Sequence, residues 1–149
     1  MHITYSEAPL GAEITGLDLA QPLADTAFAQ LEDLFHERGV LVFRDQELTD
    51  EQHLAFARRF GDLEIHVAKQ YLKPDYPELL VISNIIEDGR PTGTQDAGQY
   101  WHTDLSYVAA PRSLFAALRP RSACAGWRRA WRNAVCQHNV CVRHVAGGN

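Results

Sequence analysis

The chain lacks the features that would direct it into a membrane or out of the cell. Its 149 residues contain no apolar run near the roughly 20 residues that cross a bilayer, so we expect no membrane partner. The opening stretch, MHITYSEAPLGAE, has neither a basic nor an apolar region, so we expect no signal peptide and a cytoplasmic location. Cysteine is scarce, with three residues, and disulfides are unusual in that compartment. What remains fits one globular domain, because a chain of this length can bury a core.

Acidic residues are missing after Asp104. Residues 1–104 carry 19 acids and seven Lys or Arg, a net charge of −12, whereas residues 105–149 carry seven Arg and no acid, a net charge of +7. Such asymmetry can indicate a basic arm for nucleic acid. An arm of that kind would contain Lys beside its Arg and accompany a recognisable reading element. Neither occurs here, so we predict no nucleic-acid partner.

The basic segment also holds all three cysteines and two of the three tryptophans (Cys124, Cys136, Cys141, Trp127 and Trp131). A zinc site built from these cysteines and His138 is one interpretation of that enrichment. It is disfavoured because no C-x-x-C pair is present. The composition therefore needs another explanation, which depends on the motifs upstream.

The first part of the chain predicts strands alternating with helices. AEITGLDLAQPL indicates a strand followed by a turn at Pro22, and the next segment indicates a helix with Asp25 as N-cap and Gly39 as the stop. Its apolar face would be formed by Phe28, Leu31, Leu34 and Phe35.

Three further segments complete this pattern. VLVF predicts a buried strand at 40–43, and TDEQHLAFARRFG predicts a helix with a Thr49–Gln52 capping box, Leu54, Ala57 and Phe60 facing inward, and Gly61 closing it. LLVIS predicts another buried strand at 79–83. Residues 85–100 are polar and Gly-rich, which is typical of a long loop and of active-site lids.

The stretch GQYWHTDLSY contains a candidate metal-binding pair. On an extended segment residues i and i+2 point the same way, so the His102 imidazole and the Asp104 carboxylate could meet one ion. With one distant histidine they would form the facial triad of non-haem Fe(II) oxygenases. A His-x-Asp pair also arises by chance, and the competing interpretation is a surface histidine beside a solvated carboxylate.

The context of this pair carries a family resemblance. GAEITGLDL, GVLVFRDQ, LTDEQHLAFARRFG and WHTD follow one another in the order found in the taurine dioxygenase and 2,4-dichlorophenoxyacetate dioxygenase family. About residues 5–118 resemble the N-terminal part of these Fe(II)- and 2-oxoglutarate-dependent oxygenases. The resemblance implies an α+β fold for residues 1–118, an incomplete double-stranded β-helix (jelly roll) with N-terminal helices packed on it.

The same resemblance implies site roles. His102 and Asp104 would be two iron ligands, and no other catalytic residue is implied. The reaction would hydroxylate a small, anionic organic substrate with O2 and 2-oxoglutarate, releasing succinate and CO2. His66, just after FGDL, takes the place of a histidine that contacts the substrate's anionic group, and Tyr71 and Asn84 are looser substrate-binding candidates. Other histidines are predicted to be structural, with His53 on the exposed side of its helix and His36 in a last turn.

Two parts of the family site are missing. The third ligand in the family is a histidine far beyond the first pair, followed by an arginine that anchors 2-oxoglutarate. Only 45 residues follow Asp104. His138 and His144 lie too close to the pair, and Arg143 precedes His144 in the reverse of the family order, so neither role is assigned.

The resemblance stops abruptly after about Leu118. Read one base further on, with permitted codons, RPRSACAGW and NAVCQHNVCVRHVAGG can each spell family-like sequence. We therefore interpret residues 119–149 as a frameshifted, non-homologous tail and predict that it is disordered. A truncated chain could be an inactive, non-catalytic remnant or a partner-binding fragment with at most a weak metal site. It could also lack the contacts of a family-type homo-oligomer.

Overall fold

A computed structural model describes residues 1–94 and the strands at 114–119 and 139–144. Among these residues no helix is both long and apolar enough to cross a bilayer. Two helices and seven strands support the α+β prediction. In chain order they are β1 (His2–Tyr5), β2 (Ala12–Thr15), α1 (Asp25–Arg38), β3 (Val40–Phe43), α2 (Asp50–Arg58), a 3₁₀ turn (Lys69–Tyr71), β4 (Ile86–Glu87), β5 (Arg90–Pro91), β6 (Leu114–Arg119) and β7 (Asn139–His144).

The chain divides into two compact units. One comprises Met1–Phe60 with Asp104–Asn149, and the other comprises Gly61–Thr103. The first unit contains a five-stranded sheet in the order β1-β2-β3-β7-β6. Among the described strands of this sheet only β2 and β3 are parallel, with Ile14 opposite Phe43. A parallel pair needs a crossover connection, and α1 supplies it.

The core of the first unit lies where α1 and α2 pack against the sheet. Its most deeply buried side chains come from both layers: Ile14, Leu31, Leu41 and Phe43. Aromatic rings meet edge to face, with centroids 5.5 Å apart for Phe43 and Phe56 and 4.7 Å apart for Phe28 and Phe60. The predicted apolar face of α1 is confirmed, because Phe28, Leu31, Leu34 and Phe35 are all buried.

The two ends of α1 differ from each other in how well the sequence predicted them. Gly39 adopts the left-handed conformation (φ 68°) and its N–H donates to the Phe35 carbonyl, so the predicted stop is confirmed. The predicted Asp25 N-cap is wrong, because Ala24 is the N-cap and no side chain caps the helix. Asp25 lies in the first turn, where its carboxylate accepts a 2.8 Å hydrogen bond from Arg59.

Arg38, at the end of α1, binds the N-terminal segment. Its guanidinium donates to the carbonyls of Ser6, Ala8 and Gly11 at 3.3, 3.0 and 3.4 Å, and it lies over the ring of Tyr5. In return the N–H of Gly11 donates to the Arg38 carbonyl at 2.9 Å. This set of bonds fixes the loop between β1 and β2 against the helix end.

Helix α2 begins with the predicted capping box. The Thr49 hydroxyl accepts from the Gln52 N–H, and the Gln52 side chain accepts from the Thr49 N–H. Leu54 and Ala57 are buried as predicted, and Phe60 packs against the core. The helix itself ends at Arg58, before the predicted Gly61.

The prediction for His53 is wrong. This side chain is 7% exposed. It lies three and four residues before Phe56 and Ala57, which are also buried, and that spacing places all three on one helix face.

A buried glutamine joins the chain after β2 to the chain after β3. Gln46 is 3% exposed, accepts from the Leu19 N–H at 2.8 Å and donates to the carbonyls of Leu17 and Arg44 at 2.7 Å each. Its side-chain oxygen and nitrogen are thus both satisfied, as burial requires. The loop at 17–19 is fixed by these bonds.

The described part of the second unit departs from two predictions. Residues 79–83 do not form the predicted buried strand: they make single bridges, Leu72 with Leu80 and Ile82 with Thr94, and their side chains are half-buried or exposed. The predicted loop at 85–100 contains a hairpin, β4–β5. Asp88 and Gly89 turn it with φ of 48° and 73°, as a type I′ turn requires.

Seven residues of the segment predicted to be disordered lie in strands: Arg119 at the end of β6, and the six residues of β7. Strand β7 lies within the segment 119–149 that we predicted to be disordered, and it pairs with β3 and β6. The sequence NVCVRH alternates β-branched valines, which favours a strand. The rest of the tail lies outside the described residues.

Candidate functional site

The predicted metal pair, His102 and Asp104, lies outside the described residues. Within the part of the chain that is described, no group of three or more His, Cys, Asp or Glu side chains is arranged to hold a metal ion. The pair therefore stays a prediction from the sequence.

The three predicted substrate-binding residues lie in the second unit. His66 is half-buried, and its Nδ1 accepts a 3.0 Å hydrogen bond from the Ala68 backbone N–H. The bond spans two residues, so it holds the ring over its own turn. Among the described residues, this local bond sets the imidazole orientation.

Tyr71 ends the 3₁₀ turn that follows His66. Its N–H donates to the Ala68 carbonyl at 3.1 Å, and its own carbonyl accepts from the Val81 N–H at 2.9 Å. Backbone hydrogen bonds thus connect the segment that carries His66 and Tyr71 to the segment that leads into Asn84. The side chain of Tyr71 is half-buried.

Asn84 is exposed beside a tight crossing of two backbone segments. The Thr94 N–H donates to the Val81 carbonyl at 3.0 Å, and the Ser83 N–H donates to the Thr94 carbonyl at 3.2 Å. The Ser83 hydroxyl also bonds Thr92 Oγ1 at 3.1 Å and accepts from the Ile85 N–H at 3.1 Å.

Gly93 makes this crossing sterically feasible. A Cβ at this position would lie 2.6 Å from the Val81 carbonyl oxygen and 2.8 Å from the Ser83 nitrogen. Only glycine permits so close an approach. The sequence predictions overlooked Gly93 and Ser83, although an isolated glycine beside bridging residues can signal a close backbone approach.

Comparison with known proteins identifies the family. Residues 2–121 match the family described as "Taurine catabolism dioxygenase TauD, TfdA family". The chain belongs to this family. The matched range includes every residue that the sequence predicted for the site.

Individual relatives agree with this assignment. The chain is 38% identical over 119 residues to an alpha-ketoglutarate-dependent 2,4-dichlorophenoxyacetate dioxygenase of Cupriavidus pinatubonensis, covering 72% of this chain and 42% of the relative. It is 36% identical over 102 residues to a pentalenolactone F synthase of Streptomyces arenae, covering 67% of this chain and 34% of the relative. The chain thus spans less than half the length of each of these two relatives.

Among solved structures, the chain is similar to AAD-2 in complex with Mn(II) and N-oxalylglycine. The sequence identity is 36% and the TM-score 0.42, over 45% of this chain and 27% of that one.

Proposed function

We propose that the chain carries the N-terminal part of an Fe(II)- and 2-oxoglutarate-dependent dioxygenase. The whole enzyme would hydroxylate a small, anionic organic substrate with O2 and release succinate and CO2. The observation that carries this proposal is the family match over residues 2–121, which encloses the WHTD motif. We propose in addition that the α+β sheet and its two helices belong to an incomplete double-stranded β-helix.

His102 and Asp104 would hold the iron. They provide one imidazole nitrogen and one carboxylate oxygen, two of the three donors in a facial triad. With 2-oxoglutarate and O2, the bound iron would supply the oxidant that attacks a substrate C–H bond. Residues of this chain would hold the substrate's anionic end, with His66 as the principal donor and Tyr71 and Asn84 beside it.

A second proposal concerns the segment after residue 118. We propose that residues 119–149 follow a frameshift and do not continue the family sequence. Support comes from the end of the family match at residue 121 and from the change in net charge after Asp104. In that case this chain would be a non-catalytic remnant or a partner-binding fragment, since two ligands alone do not complete the triad.

Metal binding and turnover should be measured together on the 149-residue chain. We expect the chain to bind Fe(II), as measured by anaerobic titration. His102→Ala and Asp104→Ala should each abolish this binding. His36 is an exposed histidine on α1, so His36→Ala is the matched control and should bind Fe(II) like the unmodified chain. Equal binding by all four proteins would refute the proposed ligand pair.

Succinate formation from 2-oxoglutarate then separates the two proposals. Turnover that needs Fe(II) and is lost in His102→Ala would support the enzyme and refute the remnant. Fe(II) binding without succinate formation would support the remnant. Resequencing the locus tests the frameshift directly, and an intact frame without family-like sequence downstream would refute it.

A further inference from the structure

The hydrogen bond between Ala68 and His66 determines where the imidazole carries its proton. A backbone N–H can only donate, so Nδ1, 3.0 Å from the Ala68 nitrogen, must present its lone pair. A neutral imidazole has one donor and one acceptor nitrogen. The proton of neutral His66 therefore lies on Nε2.

We propose that the Ala68 amide is a positioning group that holds His66 as the neutral Nε2–H tautomer. The ring then offers one N–H donor to an anionic oxygen of the substrate. This inference rests on the proposed function, since it specifies how His66 binds the substrate's anionic group. An N–H donor requires a hydrogen-bond acceptor on the ligand, such as a sulfonate or carboxylate oxygen.

The local backbone fixes the direction of that amide. The Ala68 carbonyl accepts from the Tyr71 N–H at 3.1 Å, and the Lys69 N–H donates to the Val67 carbonyl at 2.9 Å. Ala68 is the N-cap of the 3₁₀ turn, with φ −78° and ψ 65°. Both flanks of the Ala68 peptide are thus held, so its N–H points steadily at the ring.

The same tautomer separates His66 from metal binding. A metal ligand must present a nitrogen lone pair. In the proposed tautomer Nδ1 accepts from Ala68 and Nε2 carries the proton, so neither nitrogen presents a free lone pair. In the proposed tautomer His66 would therefore not serve as a metal ligand.

Replacement of Ala68 by proline removes the N–H and leaves the carbonyl. The φ of −78° suits the proline ring, so Ala68→Pro should retain the turn. Ala68→Ser keeps the N–H and is the matched control. Unchanged hydrogen exchange at the Val81 amide, which donates to the Tyr71 carbonyl, would show that the turn is retained.

The tautomer can be measured without metal or turnover. In the full chain labelled with ¹⁵N-histidine, His66→Gln assigns the signals of residue 66. We expect two-bond proton–nitrogen correlations of the Nε2–H form, with Nδ1 hydrogen-bonded, in the unmodified chain and in Ala68→Ser. In Ala68→Pro the Nδ1 resonance should shift to that of a free acceptor. A protonated Nδ1 in the unmodified chain at neutral pH would overturn the proposal.

Hydrogen-bond donation from His66 to a ligand is tested with methanesulfonate and acetate as probes. We expect each anion to shift the His66 Nε2–H resonance, and Ala68→Pro to weaken binding about two- to tenfold, as loss of one neutral hydrogen bond implies. His66→Gln, whose amide N–H reaches further than that of asparagine, should retain more affinity than His66→Asn. Equal affinity in Ala68→Pro and the unmodified chain would overturn the inference, as would the absence of any shift. The iron and succinate measurements test the proposed function separately.

Discussion

Residues 1–60 are stabilised by one kind of internal contact and residues 61–94 by another. All the buried hydrophobic side chains of the described residues lie in the first segment, where two helices cover a sheet. In the second segment the buried residue is Gly93, and the backbone is connected mainly by hydrogen bonds between short turns and single bridges. The predicted substrate-binding residues lie in the second segment. Apolar packing thus builds the scaffold, whereas backbone hydrogen bonds set the positions of the candidate binding groups.

The largest effect should come from the core of the first segment. Phe43 is fully buried and its ring meets that of Phe56. Phe43→Ala should lower the free energy of unfolding by about 3–5 kcal/mol, because it removes buried apolar area and leaves a cavity. Urea denaturation followed by far-UV circular dichroism measures this loss. Phe43→Leu, the control, should lose less, and equal losses would show that cavity size does not determine the cost.

An intermediate and local effect is expected in the second segment. Gly93→Ala would bring a Cβ against the Val81 carbonyl. The free energy needed to open this crossing should therefore fall by about 1–3 kcal/mol. Hydrogen exchange at the Thr94 and Ser83 amides measures that opening. Gly89→Asn is the control, since asparagine tolerates positive φ and no atom lies within 4 Å of its Cβ. If Gly93→Ala left both amides protected, backbone crossing would not be the constraint in this segment.

The smallest effect should come from the capping box of α2. Thr49→Ala removes the acceptor of the Gln52 N–H and should cost about 1 kcal/mol. Thr49→Ser retains the hydroxyl and should remain within a few tenths of a kcal/mol of the unmodified chain. Thermal unfolding compares the two variants. A loss in Thr49→Ala as large as that in Phe43→Ala would contradict the ranking of packing over capping.

The sequence predicted several features that depend on neighbouring residues. The Thr49–Gln52 box and the Gly39 stop are local signals, and both are confirmed. Strand β3 was also predicted, because a continuous run of four apolar residues indicates a buried strand. Strand β1 was not predicted, since all four of its residues are exposed and only pairing with β2 defines it.

Features that depend on distant partners were predicted less well. The run at 79–83 has strand-like composition, but its bridges to Leu72 and Thr94 constrain its conformation, and they connect residues outside the run. One local feature, the Asp88–Gly89 hairpin, was also missed, although its dipeptide is a strong turn signal. In the candidate site, the sequence proposed a substrate-binding role for His66. The Ala68 hydrogen bond, from which we infer the position of the imidazole proton, required the structure.

The contacts of Arg38 have a practical consequence for handling the protein. Trimming the first 11 residues, by a protease or in a shortened variant, would remove the carbonyls of Ser6, Ala8 and Gly11 that its guanidinium binds. It would also remove β1, so that β2 becomes the edge strand of the sheet. That strand carries the apolar residues Ala12 and Ile14. An unpaired edge strand can form backbone hydrogen bonds with strands of other chains and so promote aggregation. Preparations that lose this terminus should therefore precipitate sooner than intact ones.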